Sequence, residues 1–442
     1  MLDLLSLLFP INNNILYTQN TETIEESYIV QPLPGQLNQI PVFNSNSPEL
    51  VMGEGILLST FTPENKKFPQ AHLNYGFQGR FDIFTHHVAK AVNENDQRTL
   101  YLGIIVNNPS NKTVTIDLLQ GGSYLSQPDA PFIELPAQVE SSQTYAGPGS
   151  RVTGEVLQGK LQDIFPRQIK LEPNESKMLL NVPIPVQNLT PKLNGRSTYL
   201  RLYSDGLVHL ASLAMYRNGE ENPPSLVQWE KLLSDGQLST PRDLAPTSPK
   251  TKGKFIYSRV AGVSQGNLWQ SKIVDYSQSE ILTIPKSGET LAYGISTLQR
   301  GTFGTNQIQT APMIVRYPDT AYSAHGNYGV EYNLTLPLYN PTNQTQTVKL
   351  AISTPIKQDV IGVKYLSTPS KSVFFRGLVQ IKYLDEQNIA REKYVHLVQK
   401  RGEKGEDLIT VEIPPKGKKP VSINFLYPPD ATPPQILTVT TK

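Results

Sequence analysis

There is no cysteine among the 442 residues of the chain, which excludes disulfides, thiolate metal sites and a cysteine nucleophile. The absence leaves the compartment open, because cysteine-free chains suit oxidising spaces and also occur in reducing ones. Histidine is scarce, at six, and tryptophan occurs twice. Charge is thin as well: charged residues make up 18%, against about 25% in an ordinary globular chain. Lys+Arg 40 and Asp+Glu 38 leave a net charge of +2, so no global field draws the chain to nucleic acid or to an anionic membrane. The most basic run, Lys400-Arg-Gly-Glu-Lys-Gly-Glu406, alternates in sign and reads as a solvated hairpin tip. No segment approaches the ~20 apolar residues of a membrane span.

What is abundant is turn chemistry. The chain carries 36 Pro and 30 Gly, and its 21 Tyr exceed its 14 Phe. Proline and glycine break helices, while Tyr and Thr fit pleated surfaces, so many short strands are expected. Tyr101 to Asp117 reads strand, turn, strand, with two apolar runs around Asn107-Asn-Pro-Ser-Asn-Lys-Thr113. There Asn and Ser bond their own backbone and Pro presets its φ. The pattern recurs from Tyr332 to Leu350, around Asn340-Pro-Thr-Asn343. In both halves this predicted β-hairpin precedes a Pro-containing turn and a further strand, an order met in immunoglobulin-like sandwiches. The expected fold is mainly β: two immunoglobulin-like β-sandwich-type domains related by an internal repeat, an N-terminal extended arm and a short inter-domain helix.

Boundaries follow from the breakers. Residues 1–27 form a signal-like or flexible N-terminus. Met1 to Ile11 is apolar but has no preceding Lys or Arg and carries Asp3, so it reads either as a truncated or atypical export signal or as a short amphipathic tail. Residues 28–52 make the arm, because Pro32, Pro34, Pro41 and Pro48 forbid a long helix or a central strand. Residues 53–220 form the first domain, 221–252 a helix and Pro-rich linker, and 253–442 the second domain. In the linker, Ser225 caps a helix with Leu226, Trp229, Leu232 and Leu233 on its apolar stripe, and Gly236 ends it. Another short helix is predicted from Pro148, with Ser150 as its cap. Thr198 to Tyr216 reads as a hairpin with Asp205-Gly206 at its tip.

Few residues offer chemistry. Gly79-Arg-Phe-Asp-Ile-Phe-Thr-His-His87 reads as a strand, and alternation puts Asp82, Phe84 and His86 on one face. Arg80, Asp82 and His86 are therefore binding candidates. One buried, hydrogen-bonded histidine beside an exposed one is preferred to a metal pair. In Ala324-His-Gly-Asn-Tyr-Gly329, His325, Asn327 and Tyr328 offer polar groups where two glycines allow close approach; the plainer reading is a tight turn. Trp269 is either a platform for a glycan or a half-buried edge residue. Gly262-Val-Ser-Gln-Gly266 imitates a nucleophile elbow around Ser264, but no suitable helix follows it. No acid pair is set by spacing for glycosidase work. No catalytic residue, cofactor or metal is assigned.

Val30-Gln-Pro-Leu-Pro-Gly-Gln-Leu37, the stretch from Pro41 to Val51, Gly79 to His87, Ala324 to Gly329 and Pro428-Pro-Asp-Ala-Thr-Pro-Pro434 together resemble an uncharacterised cyanobacterial family, the domain-of-unknown-function family 3370. The resemblance spans about residue 28 to 442. It implies a cyanobacterial source and export to the periplasm or envelope, and it brings no activity. The expected function is a non-enzymatic envelope or periplasmic protein that binds or scaffolds other components. Its expected partners are a cell-envelope protein or a glycan, not nucleic acid. The alternative is a glycan-binding module, or a polysaccharide-active enzyme, using Trp269, Tyr328 or the Asp82/His86 face.

Overall fold

A computed structural model describes residues 22–219 and 222–442; most of the signal-like N-terminus lies outside them. The chain is mainly β. The arm supplies β1 (Thr23–Glu26), β2 (Ile29–Gln31), β3 (Gln36–Leu37), β4 (Pro41–Ser45) and β5 (Leu50–Val51). The first half continues with β6 (Gly55–Ser59), β7 (Phe77–Lys90), β8 (Arg98–Asn107), β9 (Val114–Leu125), β10 (Gln138–Glu140), β11 (Gln168–Leu171), β12 (Ser176–Ile184) and β13 (Leu193–Asn218). The second half holds β14 (Ala261–Gln265), β15 (Leu268–Lys272), β16 (Leu282–Thr283), β17 (Thr290–Ile295), β18 (Ala311–Arg316), β19 (Ser323–Ala324) and β20 (Glu331–Tyr339). It ends with β21 (Gln346–Ser353), β22 (Val363–Leu366), β23 (Val373–Leu384), β24 (Ala390–Lys400), β25 (Asp407–Ile413), β26 (Lys418–Leu426) and β27 (Gln435–Thr441). Two α-helices, α1 (Pro148–Leu157) and α2 (Leu226–Asp235), are present among the described residues.

The two halves contain sheets of the same order. One runs β11-β9-β13-β7-β4, the other β25-β21-β27-β17-β2. Each has a parallel pair at its arm end, β4 on β7 and β2 on β17. The remaining pairs in both are antiparallel. Off these paths, β8 pairs β12 and β20 pairs β26. Period-2 alternation does the sorting: in β20, Tyr332, Leu334, Leu336 and Leu338 are buried while the residues between them are half-buried.

Three sequence expectations are corrected by the topology. The predicted hairpins are arches: β8 pairs β12 and the last part of β13 whereas β9 pairs β11 and the first part of β13, and β20 and β21 lie in different sheets. A buried asparagine replaces the hairpin ladder. Asn108 Nδ2 donates to the carbonyls of Lys112 (2.6 Å), Leu171 (3.2 Å) and Glu172 (3.0 Å), and its Oδ1 accepts from Ser110 N and Oγ. Asn340 does the same with the carbonyls of Gln344 (2.7 Å), Ile413 (2.9 Å) and Pro414 (3.1 Å), and with Thr342 N and Oγ1. The hairpin predicted at Asp205-Gly206 is instead a bend within β13, whose 26 residues are continuous. Its first part pairs β7 and β9, its last part β8 and β6, and the register with β7 breaks between Ser204 and Val208. Asp205 Oδ1 accepts the Thr115 N–H at 2.7 Å and holds the bend. Alternation of apolar and polar residues is the same whether a strand turns back or crosses to another sheet. Finally, Ser150 is not the cap of α1. Gly147 occupies that position, and the Ser150 N–H donates to Asp430 Oδ2 at 2.9 Å. For α2, Ser225 and Gln228 form the capping box, Trp229 and Leu233 are buried, and Gly236 ends the helix.

Hydrogen-bonded sheets run across residue 253. Strand β4 lies between β7 and β14, and β14 carries β18 beyond it. Strand β3 pairs β15, and β10 pairs β24. The arm therefore supplies strands to sheets of both halves.

Candidate functional site

A dense polar cluster sits where arm, first half and second half meet. The antiparallel register of β7 and β13 sets Asp82 opposite Arg201 and Phe84 opposite Tyr199. Asp82 is fully buried. Its Oδ2 accepts from Tyr199 Oη at 2.6 Å and from Asn267 Nδ2 at 2.6 Å. Asn267, in the turn between β14 and β15, is clamped by Asn38 of the arm through two bonds of 2.7 and 2.9 Å. Arg201 donates to Glu331 Oε2 at 2.8 Å, and its Nε lies 3.9 Å from Asp82 Oδ2. Arg80, more exposed, approaches Asp82 Oδ1 at 3.8 Å.

Tyr199 Oη has one proton and two acceptors near it, Asp82 Oδ2 and the Gly329 carbonyl at 2.9 Å. Tyr199 Oη is the donor in both contacts and shares its proton between them. Burial raises the pKa of Asp82 above the ordinary carboxylate range, against the opposing pull of Arg201, Tyr199 and Asn267. Gly329 is required here: at φ +82°, a Cβ would lie 2.1 Å from Tyr199 Cε2. The gap bounded by Asn44, Tyr199, Asn267, Tyr328 and Gly329 has no room for a water molecule. This arrangement can fix strands.

Asp82 and His86 share a face, as alternation required, but they serve different partners. His86 Nδ1 meets Ser197 Oγ at 2.8 Å, and its Nε2 lies 3.8 Å from Glu49 Oε1. Glu49 is bonded at 2.7 Å to Arg259, which also holds Asp243 at 2.9 Å. His87 is the buried member of the pair, bonded to Ser45 Oγ and the Pro48 carbonyl, and burial lowers its pKa to about 3. Among the described residues no three His, Cys, Asp or Glu side chains converge to hold a metal ion.

The second candidate stretch is divided in use. Asn327, fully buried at φ 49°, accepts from Ala311 N and donates to the Gln309 carbonyl at 2.9 Å. Tyr328 Oη donates to the Ala431 carbonyl at 3.1 Å, and its ring meets Phe84 edge-on. His325 packs edge-on against Tyr257, its buried Nδ1 has no hydrogen-bond partner, and burial lowers its pKa to about 4. Trp269 is neither a platform nor an edge residue. It is 5% exposed, stacks on Tyr332 and donates from Nε1 to the Pro34 carbonyl at 2.9 Å. The arm covers the face a sugar would need.

Sequence reasoning singled out Asp82 but not Tyr199, Arg201, Asn267, Glu331 or Asn38. No local signal marks them, since each is an ordinary strand or turn residue until the halves dock. No curated protein matches the chain. A family described as "Protein of unknown function (DUF3370)" matches residues 29–441. The chain belongs to that domain-of-unknown-function family, 3370.

Proposed function

We propose that the chain is a non-enzymatic binding or scaffolding protein of the periplasm or cell envelope, built from two immunoglobulin-like sandwich units related by an internal repeat. One observation carries the functional part. The polar groups best suited to chemistry, Asp82, Tyr199, Asn267 and Arg201, are spent on a hydrogen-bonded joint between the halves. A rigid joint suits a protein that presents surfaces. The repeat is supported by the matching sheet orders and by details of the two clasps. Asn174 and Lys416 both have positive φ, 59° and 54°, and donate to the Ser110 and Thr342 carbonyls at 3.3 and 3.2 Å.

Fractionation of cells producing the full-length chain tests the location: recovery in the periplasm or envelope is expected, and recovery in the cytosol overturns it. A glycan array separates scaffolding from the glycan-binding alternative. Selective binding to a neutral glycan would favour the alternative, which loses Trp269 and Tyr328 to internal contacts.

A further inference from the structure

We infer that one end of the second half is a docking surface for an anionic lipid bilayer. Three segments far apart in sequence converge there. Gln299 Nε2 donates to the Pro249 carbonyl at 2.6 Å, and Tyr257 Oη donates to the Gln299 carbonyl. Phe303 N donates to the Gln358 carbonyl at 2.9 Å, and Thr302 N to Asp359 Oδ1 at 3.1 Å. This gathers Lys250, Lys252 and Lys254, all exposed, beside Arg300 and Lys357. Among the described residues none of these cations forms an ion pair with a carboxylate. Arg300 lies 4.9 Å over the Phe255 ring and Lys357 4.8 Å over the Tyr257 ring. Burial depresses the pKa of Lys357, Asp359 of the same loop opposes this, and Arg300 and Arg401 add to the depression. Like charges held this close are stabilised by an external anion.

The apolar neighbours say which anion. At the tip of the same loop Val360 is 63% and Ile361 78% exposed. Two protruding aliphatic side chains on the loop that carries Lys357 match the headgroup–acyl boundary of an anionic bilayer, where apolar tips insert and cations remain with phosphate. An acidic polysaccharide would use the cations and leave Val360 and Ile361 idle. A sugar ring would need an aromatic face, and Arg300 and Lys357 lie over those of Phe255 and Tyr257.

The inference deepens the scaffold reading by naming its support, and it is tested on purified full-length protein, so it fails or stands separately from the fractionation result. The chain is sedimented with phosphatidylglycerol–phosphatidylcholine vesicles and with pure phosphatidylcholine vesicles, at low and high salt. Binding to the anionic vesicles that weakens with salt is expected. Each Lys→Gln change at Lys250, Lys252 or Lys254 lowers partitioning about fivefold. The double variant Val360→Ser/Ile361→Ser lowers it about tenfold, with the melting temperature unchanged because both side chains are exposed. Equal binding to neutral vesicles, no binding, indifference to the Val360/Ile361 change, or capture by a soluble uronate polymer in preference to vesicles would each overturn the proposal.

Discussion

Gly329 shows how one missing Cβ holds the joint closed. Its φ of +82° and the 2.1 Å approach to Tyr199 leave no space for alanine. Gly329→Ala should cost about 2–4 kcal/mol, read as a lower midpoint in chemical denaturation; an unchanged midpoint would mean that the joint yields. The histidines set the response to acid. Burial lowers His72 and His396 to about 4 and His87 to about 3. The unfolded chain binds these protons below pH ~6.5 and the folded chain resists them. The stabilisation is therefore complete above pH ~6.5 and is lost as pH falls towards 4. Asp82 and Asp430 are raised by burial and act with the opposite sign, their contribution fading as pH rises through their raised values. His396 is the histidine to remove, because it is fully buried and neither ring nitrogen has a hydrogen-bond partner. His396→Leu should be about 1–3 kcal/mol more stable than the parent at pH 5, with a smaller gain at pH 8. Equal midpoints at pH 5 would refute this. In the sequence, Asp82 is legible as a carboxyl on an apolar strand; its burial is not, because the groups that permit it come from β13 and from the turn before β15.

The arches depend on two side chains. Asn108 and Asn340 each satisfy the carbonyls of two crossing loops, so removing either amide leaves buried acceptors unpaired. Asn108→Ala and Asn340→Ala should each cost about 2–4 kcal/mol. If the two clasps are equivalent, the costs agree within about 1 kcal/mol; denaturation of the two single variants measures both. The turn chemistry of Asn107-Asn-Pro-Ser-Asn and Tyr339-Asn-Pro-Thr-Asn was visible in the sequence, and so was Ser225 as the cap of α2. The direction of the chain after the turn was not. Residue alternation reports burial on two faces and carries no information about which strand is the neighbour. The bend in β13 and the use of Asp430 by α1 are invisible for the same reason: their partners are distant in the chain.

The arm ties the whole molecule together. Strand β4 is hydrogen-bonded to both β7 and β14, β3 pairs β15, and β2 pairs β17. With sheets continuous across both halves, calorimetry should show one cooperative unfolding transition. Deleting residues 1–52 should abolish that single transition and expose the amides of β14 and β17 to rapid hydrogen exchange. Slow exchange there after the deletion would show that the arm is dispensable. Charge also belongs to this scale. A net charge of +2 suggests no affinity for anions, yet folding brings Lys250, Lys252, Lys254, Arg300 and Lys357 to one end, beside the exposed Val360 and Ile361.

By itself the sequence determined the mainly β class, the positions of many strands, the two Asn-Pro turns and the boundaries of α2, because propensity, alternation and turn chemistry act over a few neighbouring residues. Tertiary structure decided the pairing of those strands, the burial of Asp82 and Trp269, and the gathering of cations on one surface. These depend on contacts between segments up to hundreds of residues apart, and no local pattern encodes which segments meet.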